Sequence, residues 1–223
     1  MLIQSIGDLL PSAVGVAISP IPIIAIVLML ATPRARSNGL AFSLGWVVGL
    51  SAVMAVVLLV AGGAGSDATD DGVDWATLAF GLVFLGLARR QWSGRPKKGE
   101  EPRMPGWMQA VDHFTFPRSL GLGLALSAVN PKNFVLTAAA AGAIARQDMP
   151  VGDDVIAAAV FVAIASVSVL GLVLFYLVTP RAASKPLDAI KEFMATHNAA
   201  IMTVILLVLG MKLLGDGLGG AFG

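Results

Sequence analysis

The chain has 223 residues, no Cys, 57% hydrophobic residues and 13% charged ones, where a soluble domain carries about 25% charged residues. This composition excludes a water-soluble globular protein, a disulfide framework, thiolate metal sites and Cys nucleophiles. The formal net charge of +1 hides a segregation of charge along the chain that bears on orientation.

Six segments are apolar enough to be membrane-spanning helices, each of which needs roughly 20 residues. The first, Ile6–Ala31, follows an N-terminus with neither the basic region nor the small-residue cleavage site of a signal peptide, so it is expected to be retained. Near its middle stands Ser19-Pro20-Ile21-Pro22, and Arg34 and Arg36 follow it. The second, Leu40–Gly62, carries Gly45 and Gly49 at the spacing that lets helix backbones approach closely. Trp46, between them, is a packing or ligand-stacking residue. An acidic connection with Asp67, Asp70, Asp71 and Asp74 leads to the third segment, Val73–Leu87.

A linker over residues 93–118 comes next. Its first half is charged and contains Pro and Gly. Its second half, MPGWMQAVDHFTFPR, either lies along the membrane surface or is a solvated loop. Asp112 and His113 are either a solvated pair or a gating and proton-coupling pair. The fourth segment, Ser119–Ile144, contains Asn130-Pro131-Lys132-Asn133. The fifth, Val155–Val178, follows Asp148, Asp153 and Asp154. KPLDAIKEFMATH (185–197) again reads as interfacial or solvated. It leads to the sixth, Ala199–Leu214, with His197 at the interface and Lys212 snorkelling to head groups.

The connections after the first, third and fifth spans hold twelve of the fifteen basic residues. The positive-inside rule puts loops 1, 3 and 5 in the cytoplasm, and six spans then leave both termini outside. The expected location is the plasma (inner) membrane, multi-pass.

AVGVAISPIPIIAIVLMLATPRAR and GLALSAVNPKNFVLTAAAAGAIAR share an apolar approach, a small polar residue, Pro, and an apolar exit ending in Arg. Pro20 aligns with Pro131, 111 positions on. FGLVFLGLARR and ILLVLGMKLLGDG likewise pair Gly86 with Gly210. The expected architecture is therefore all-α: six transmembrane helices as two inverted three-helix repeats, with helices 1 and 4 broken. Residues 1–92 form the first repeat, 93–118 the cytoplasmic linker and 119–223 the second repeat.

Proline removes a backbone donor and clashes with the carbonyl four residues back. Unpaired backbone groups cost several kcal/mol in hydrocarbon, so each break is either repaired by neighbours or lines a cavity. Ser19 and Asn130 are expected N-caps, with Pro20 and Pro131 at the first helical position. Each broken segment then holds a half-helix N-terminus at mid-membrane, and inversion brings the two together. No Asp or Glu lies near the middle of any span. A buried Lys132 must therefore lose its proton or find an anion. These features point to a midplane site for an anionic group, formed by Lys132, Asn130, Asn133, Ser19, Pro20, Pro22 and Pro131. The plainer alternative is a pair of packing kinks with Lys132 snorkelling to a surface.

No Gly-x-x-x-x-Gly-Lys-Ser/Thr loop is present. Two His and no Cys supply no metal ligand set, so no cofactor, metal or enzymatic chemistry is expected. The basic linker suits anionic lipids and calls for no nucleic acid.

The stretches SPIPIIAIVLMLATPRARSNGLAFSLGWVVGL, PGWMQAVDHFTFPRSLGLGLALSAVNPKNFVLTAAAAGAIA and LGMKLLGDGL resemble the peptidoglycolipid-addressing (GAP, or Sap-like) family. This is a branch of the lysine-exporter superfamily found in actinobacteria, and the resemblance covers residues 8–218. It implies two inverted three-helix repeats and a role in moving cell-envelope glycolipids across the plasma membrane. It also implies dimerisation and action beside a dedicated lipid exporter, although the loop GSDATDDGVD offers no docking domain for one. The family motif falls on Ser19, Pro20, Pro22, Asn130, Pro131, Lys132 and Asn133. The expected function is a transporter or flippase for an anionic lipid or glycolipid. A small-solute exporter and a non-transporting accessory subunit of a lipid exporter are the alternatives.

Overall fold

The computed structural model describes residues 2–63, 75–95, 111, 113–147 and 149–222. Asp112, the acidic loop after the second span and most of the 93–118 linker lie outside the described residues. Those described are helical throughout, in the order α1 (Leu2–Ala17), α2 (Pro20–Leu30), α3 (Ala35–Gly63), α4 (Trp75–Ser93), α5 (Phe116–Leu124), a π turn (Ala125–Val129), α6 (Pro131–Ala145), α7 (Val151–Val178) and α8 (Pro180–Phe222).

Among them, α3, α7 and α8 are long and apolar enough to cross a membrane; α1 and α2 together qualify as a fourth span, bent by 51°. Phe116–Val129 is a shorter apolar helix. The interruptions fall at Ser19 and Asn130, where proline ends one helical run and begins the next.

The helices group into two compact units, each drawing on both halves of the chain. The first comprises residues 1–64 and 104–195. In it α3 runs against α5, the π turn and α6, while α1 and α2 lie against α7. Trp46, Phe42, Phe161, Leu136 and Ile26 fill its core. Trp46 is buried and stacks on Phe42, with ring centroids 6.4 Å apart, so it acts as a packing residue.

Small residues set the closeness of this packing. A Cβ on Gly45 would fall on the Leu120 carbonyl oxygen, one on Gly49 on Ser127 Oγ, and one on Gly123 on the Phe42 carbonyl oxygen. Gly45 of α3 and Gly123 of α5 thus each admit the other helix's backbone, and the two backbones touch directly.

The second unit comprises residues 65–103 and 196–223. Here Gly210 of α8 meets Leu85 and the Gly81 carbonyl of α4, and Gly81 meets Leu214. The sequence alignment pairs Gly210 with Gly86, but Gly86 faces open space; the contact is made at Gly81. Lys212 pairs with Asp216 one turn on, at 2.6 Å.

The 185–197 stretch is neither an extended loop nor a separate segment, because α8 already begins at Pro180. Ala183 and Leu187 are buried, and Ile190 and Met194 are half-buried on the same face, as the spacing of an amphipathic helix requires. Pro186 reads as a breaker in sequence. It is tolerated here because the carbonyl it deprives, that of Ala182, belongs to an exposed residue.

Candidate functional site

The two breaks have nearly the same local geometry. Ser19 has φ −68° and ψ 114°, and Asn130 has φ −61° and ψ 116°, the extended conformation that a following proline imposes. Their side chains do different things. Asn130 caps α6: its Oδ1 accepts the Lys132 N–H at 3.1 Å. Ser19 occupies the N-cap position of α2 without a side-chain cap bond. Its hydroxyl points across to the other break, donating to Asn133 Oδ1 at 3.0 Å and accepting from Lys132 Nζ at 2.5 Å.

The breaks are repaired group by group. In the π turn, the Asn130 N–H reaches the Ala125 carbonyl at 3.0 Å. The next donor in that register would be residue 131, which is proline and has none. The Leu126 carbonyl that it would have served receives Asn133 Nδ2 at 2.9 Å.

At the end of α1, the carbonyls of Val14 and Val16 take the N–H groups of Ile18 and Ser19. Those of Gly15 and Ala17 have no backbone donor. Lys132 Nζ fills the first at 2.6 Å and Ser168 Oγ of α7 the second at 2.5 Å. Lys132 therefore sits at a helix C-terminus, where the partial charge is negative and a cation is favoured.

This arrangement corrects the expectation of two free helix N-termini. The first turn of α2 holds Pro20 and Pro22, which lack N–H groups, and in α6 Pro131 has none and the Lys132 N–H is capped. One N–H per first turn remains without a partner among the described residues, those of Ile21 and Asn133. An anion brought here would meet the ammonium, with at most two backbone donors beside it.

Lys132 is 5% exposed, Ser19 2% and Asn133 0%, which places Lys132 inside the protein and not snorkelling to a surface. Among the described residues no ion pair involves Lys132. An ammonium has three N–H donors, and Gly15 and Ser19 take two of them, both as neutral acceptors. Of the predicted residues, Ser19, Asn130, Lys132 and Asn133 come together in one hydrogen-bonded chain, shaped by Pro20, Pro22 and Pro131. His113 is not among them; it is exposed in the turn before α5. Its neighbour Phe114 accepts a bond from Asn38 Nδ2 of α3 at 3.1 Å.

Gly15 and Ser168 were missed by sequence reasoning. Ser168 had a signal, the polar pair Ser166-Val167-Ser168 in an otherwise apolar span. Gly15 contributes only its carbonyl and had none. Replacing Ser168 by Ala is expected to leave the Ala17 carbonyl without a donor and cost about 1–3 kcal/mol. Ser166→Ala is expected to cost nothing, since that hydroxyl has no partner. Thermal unfolding of the two variants in detergent checks the pair.

The contacts also relate the two broken segments. The start of α3, just past the end of α2, meets the approach to α5 through Asn38 and Phe114. Gln147, just after α6, lies 3.5 Å from Asp8 of α1, too long for a firm bond but sufficient to register the ends. The α1–α2 and α5–α6 segments therefore run antiparallel. Among the described residues, no group of three or more His, Asp or Glu side chains is placed to hold a metal ion.

A family model described as "Sap, sulfolipid-1-addressing protein" matches residues 9–219. No curated protein and no solved structure matches the chain.

Proposed function

The chain belongs to the Sap, sulfolipid-1-addressing protein, family, and from that premise we propose that it carries an anionic lipid or glycolipid across the plasma membrane. The head group exchanges onto Lys132 at the junction of the two broken helices. The observation that carries this reading is a buried lysine without a carboxylate partner, tied to both breaks. Its present partners are neutral. An incoming phosphate, sulfate or carboxylate offers the ammonium a charge-assisted bond, roughly twice as strong as a neutral one. As Lys132 turns to the anion, Gly15 and Ser19 lose their donor and α1 loses its hold on α6. Binding is thereby coupled to the hinge between repeats.

The reading includes six spans in two inverted repeats. The matching dihedrals at Ser19 and Asn130 and the antiparallel course of the two broken segments support it. With the basic connections in the cytoplasm, the termini face outward. The chain performs no chemistry on its cargo and works as a carrier, driven by an ion gradient or by the lipid gradient itself.

Purified protein in liposomes is expected to move a fluorescent phosphatidylglycerol between leaflets without any other protein. Efflux of trapped amino acids with no lipid movement would replace this reading with a small-solute exporter. The absence of both activities would leave an accessory subunit.

A further inference from the structure

Between α3 and α7 lies a cleft of about 490 Å³. It is separate from the hydrogen-bonded chain around Lys132. Its walls run from Val47 to Leu58 on α3 and from Val155 to Leu170 on α7. Small apolar side chains line much of it, among them Ala55, Ala159 and Ala163. Ser166, which also lines it, is 0% exposed, and its hydroxyl has no hydrogen-bond partner.

The dimensions of the cleft restrict what it can hold. At 1.5 Å per residue, the α3 wall is about 16 Å long and the α7 wall about 22 Å. One leaflet of the hydrocarbon core is about 15 Å thick, half of ~30 Å. A protein helix about 10 Å across and as long as the α3 wall has a volume of roughly 1,300 Å³, more than the roughly 940 Å³ of empty space between the walls. A single hydrocarbon chain is slender enough.

Depth is registered on both walls. Gly49 of α3 meets Ser127, three residues before Asn130, and Ser168 of α7 bonds Ala17, two residues before Ser19. One end of the cleft therefore lies level with the breaks. From there it runs toward the C-terminal end of α3 and the N-terminal end of α7, where Asp153 and Asp154 stand.

We infer that this cleft seats one acyl chain of a lipid from the leaflet on the Asp153–Asp154 side, the ester end of the chain lying toward Asp153 and Asp154 and its methyl end reaching break depth. The inference rests on the lipid-carrier reading and specifies where the chain of that lipid lies. A lipid waiting in that leaflet then has one tail already housed beside the breaks.

The test uses the full chain in phosphatidylethanolamine–phosphatidylglycerol vesicles doped with a phosphatidylglycerol bearing a mid-chain diazirine on one acyl chain. After irradiation, adducts are mapped by mass spectrometry. Adducts are expected to concentrate on residues 155–163, several-fold above those at Val167 and Leu174, which are equally lipid-exposed. Ala163→Trp, at an exposed position on the cleft wall, is expected to remove the cleft adducts and leave the others; Val167→Trp is expected to change neither. Even labelling over all exposed apolar positions, or cleft labelling that survives Ala163→Trp, overturns the inference. The same vesicles report lipid movement. Movement without cleft labelling overturns the acyl seat and spares the carrier reading. Cleft labelling without movement supports the seat as a lipid site and overturns the carrier reading.

Discussion

Lys132→Met is expected to lower lipid movement by roughly a hundredfold while leaving the protein folded. A hydrogen bond to a charged group contributes up to about 3 kcal/mol, and each 1.4 kcal/mol corresponds to a factor of about ten. The stability side is a near balance. Removing a buried cation that has no ion-pair partner and filling its volume with an apolar side chain relieves part of a desolvation cost of several kcal/mol. Leaving the Gly15 carbonyl without its donor costs about 1–3 kcal/mol, while the Ser19 hydroxyl still donates to Asn133. The midpoint of thermal unfolding in detergent should therefore move by only a few degrees. Full transport in this variant sinks the head-group assignment. Lost transport accompanied by a collapse of stability would reassign Lys132 to a structural tie.

Gly123→Leu is expected to have the largest effect on folding. Its Cβ would land on the Phe42 carbonyl, with the Trp46 amide close behind. Both are backbone atoms of α3 and cannot turn aside as a side-chain tip does. Overpacking commonly costs 1–3 kcal/mol, and a backbone collision between two helices should reach or exceed about 3 kcal/mol. Gly45→Leu meets the Leu120 carbonyl in the same way. Gly121→Leu, one residue pair away on α5, meets nothing within 4 Å and serves as the control. Yield of monodisperse protein and its thermal midpoint should separate the first two from the third. Equal behaviour of all three would mean that α3 and α5 are not in backbone contact.

Much of this was legible in the sequence. The membrane character followed from composition, the breaks from proline within apolar runs, and the family from the combination of Ser19-Pro20-Ile21-Pro22 with Asn130-Pro131-Lys132-Asn133. The meeting of Ser19 with Lys132 and Asn133 is the contact that an inverted repeat would produce. Three things could not be read. The carbonyls that Lys132 and Ser168 serve belong to Gly15 and Ala17, residues whose side chains carry no information about the contact. Gly81 and Gly86 look alike in sequence, and only the helical phase against α8 decides which one touches it. The start of α8 was hidden because Pro186 reads as a breaker, and whether its unpaired carbonyl is exposed is a tertiary property.

The single lysine at the two breaks has a consequence for the proposed carrier. An inverted pair of identical breaks would present two equivalent receptors, back to back. Here the two first turns keep one free N–H each, but Lys132 has no cationic counterpart at the aligned position, which is Ile21. If the halves form an inverted repeat, its pseudo-twofold would be broken at the lysine. On the proposed carrier reading, one ammonium at the centre would hold one anion at a time, and one head group would cross per turn.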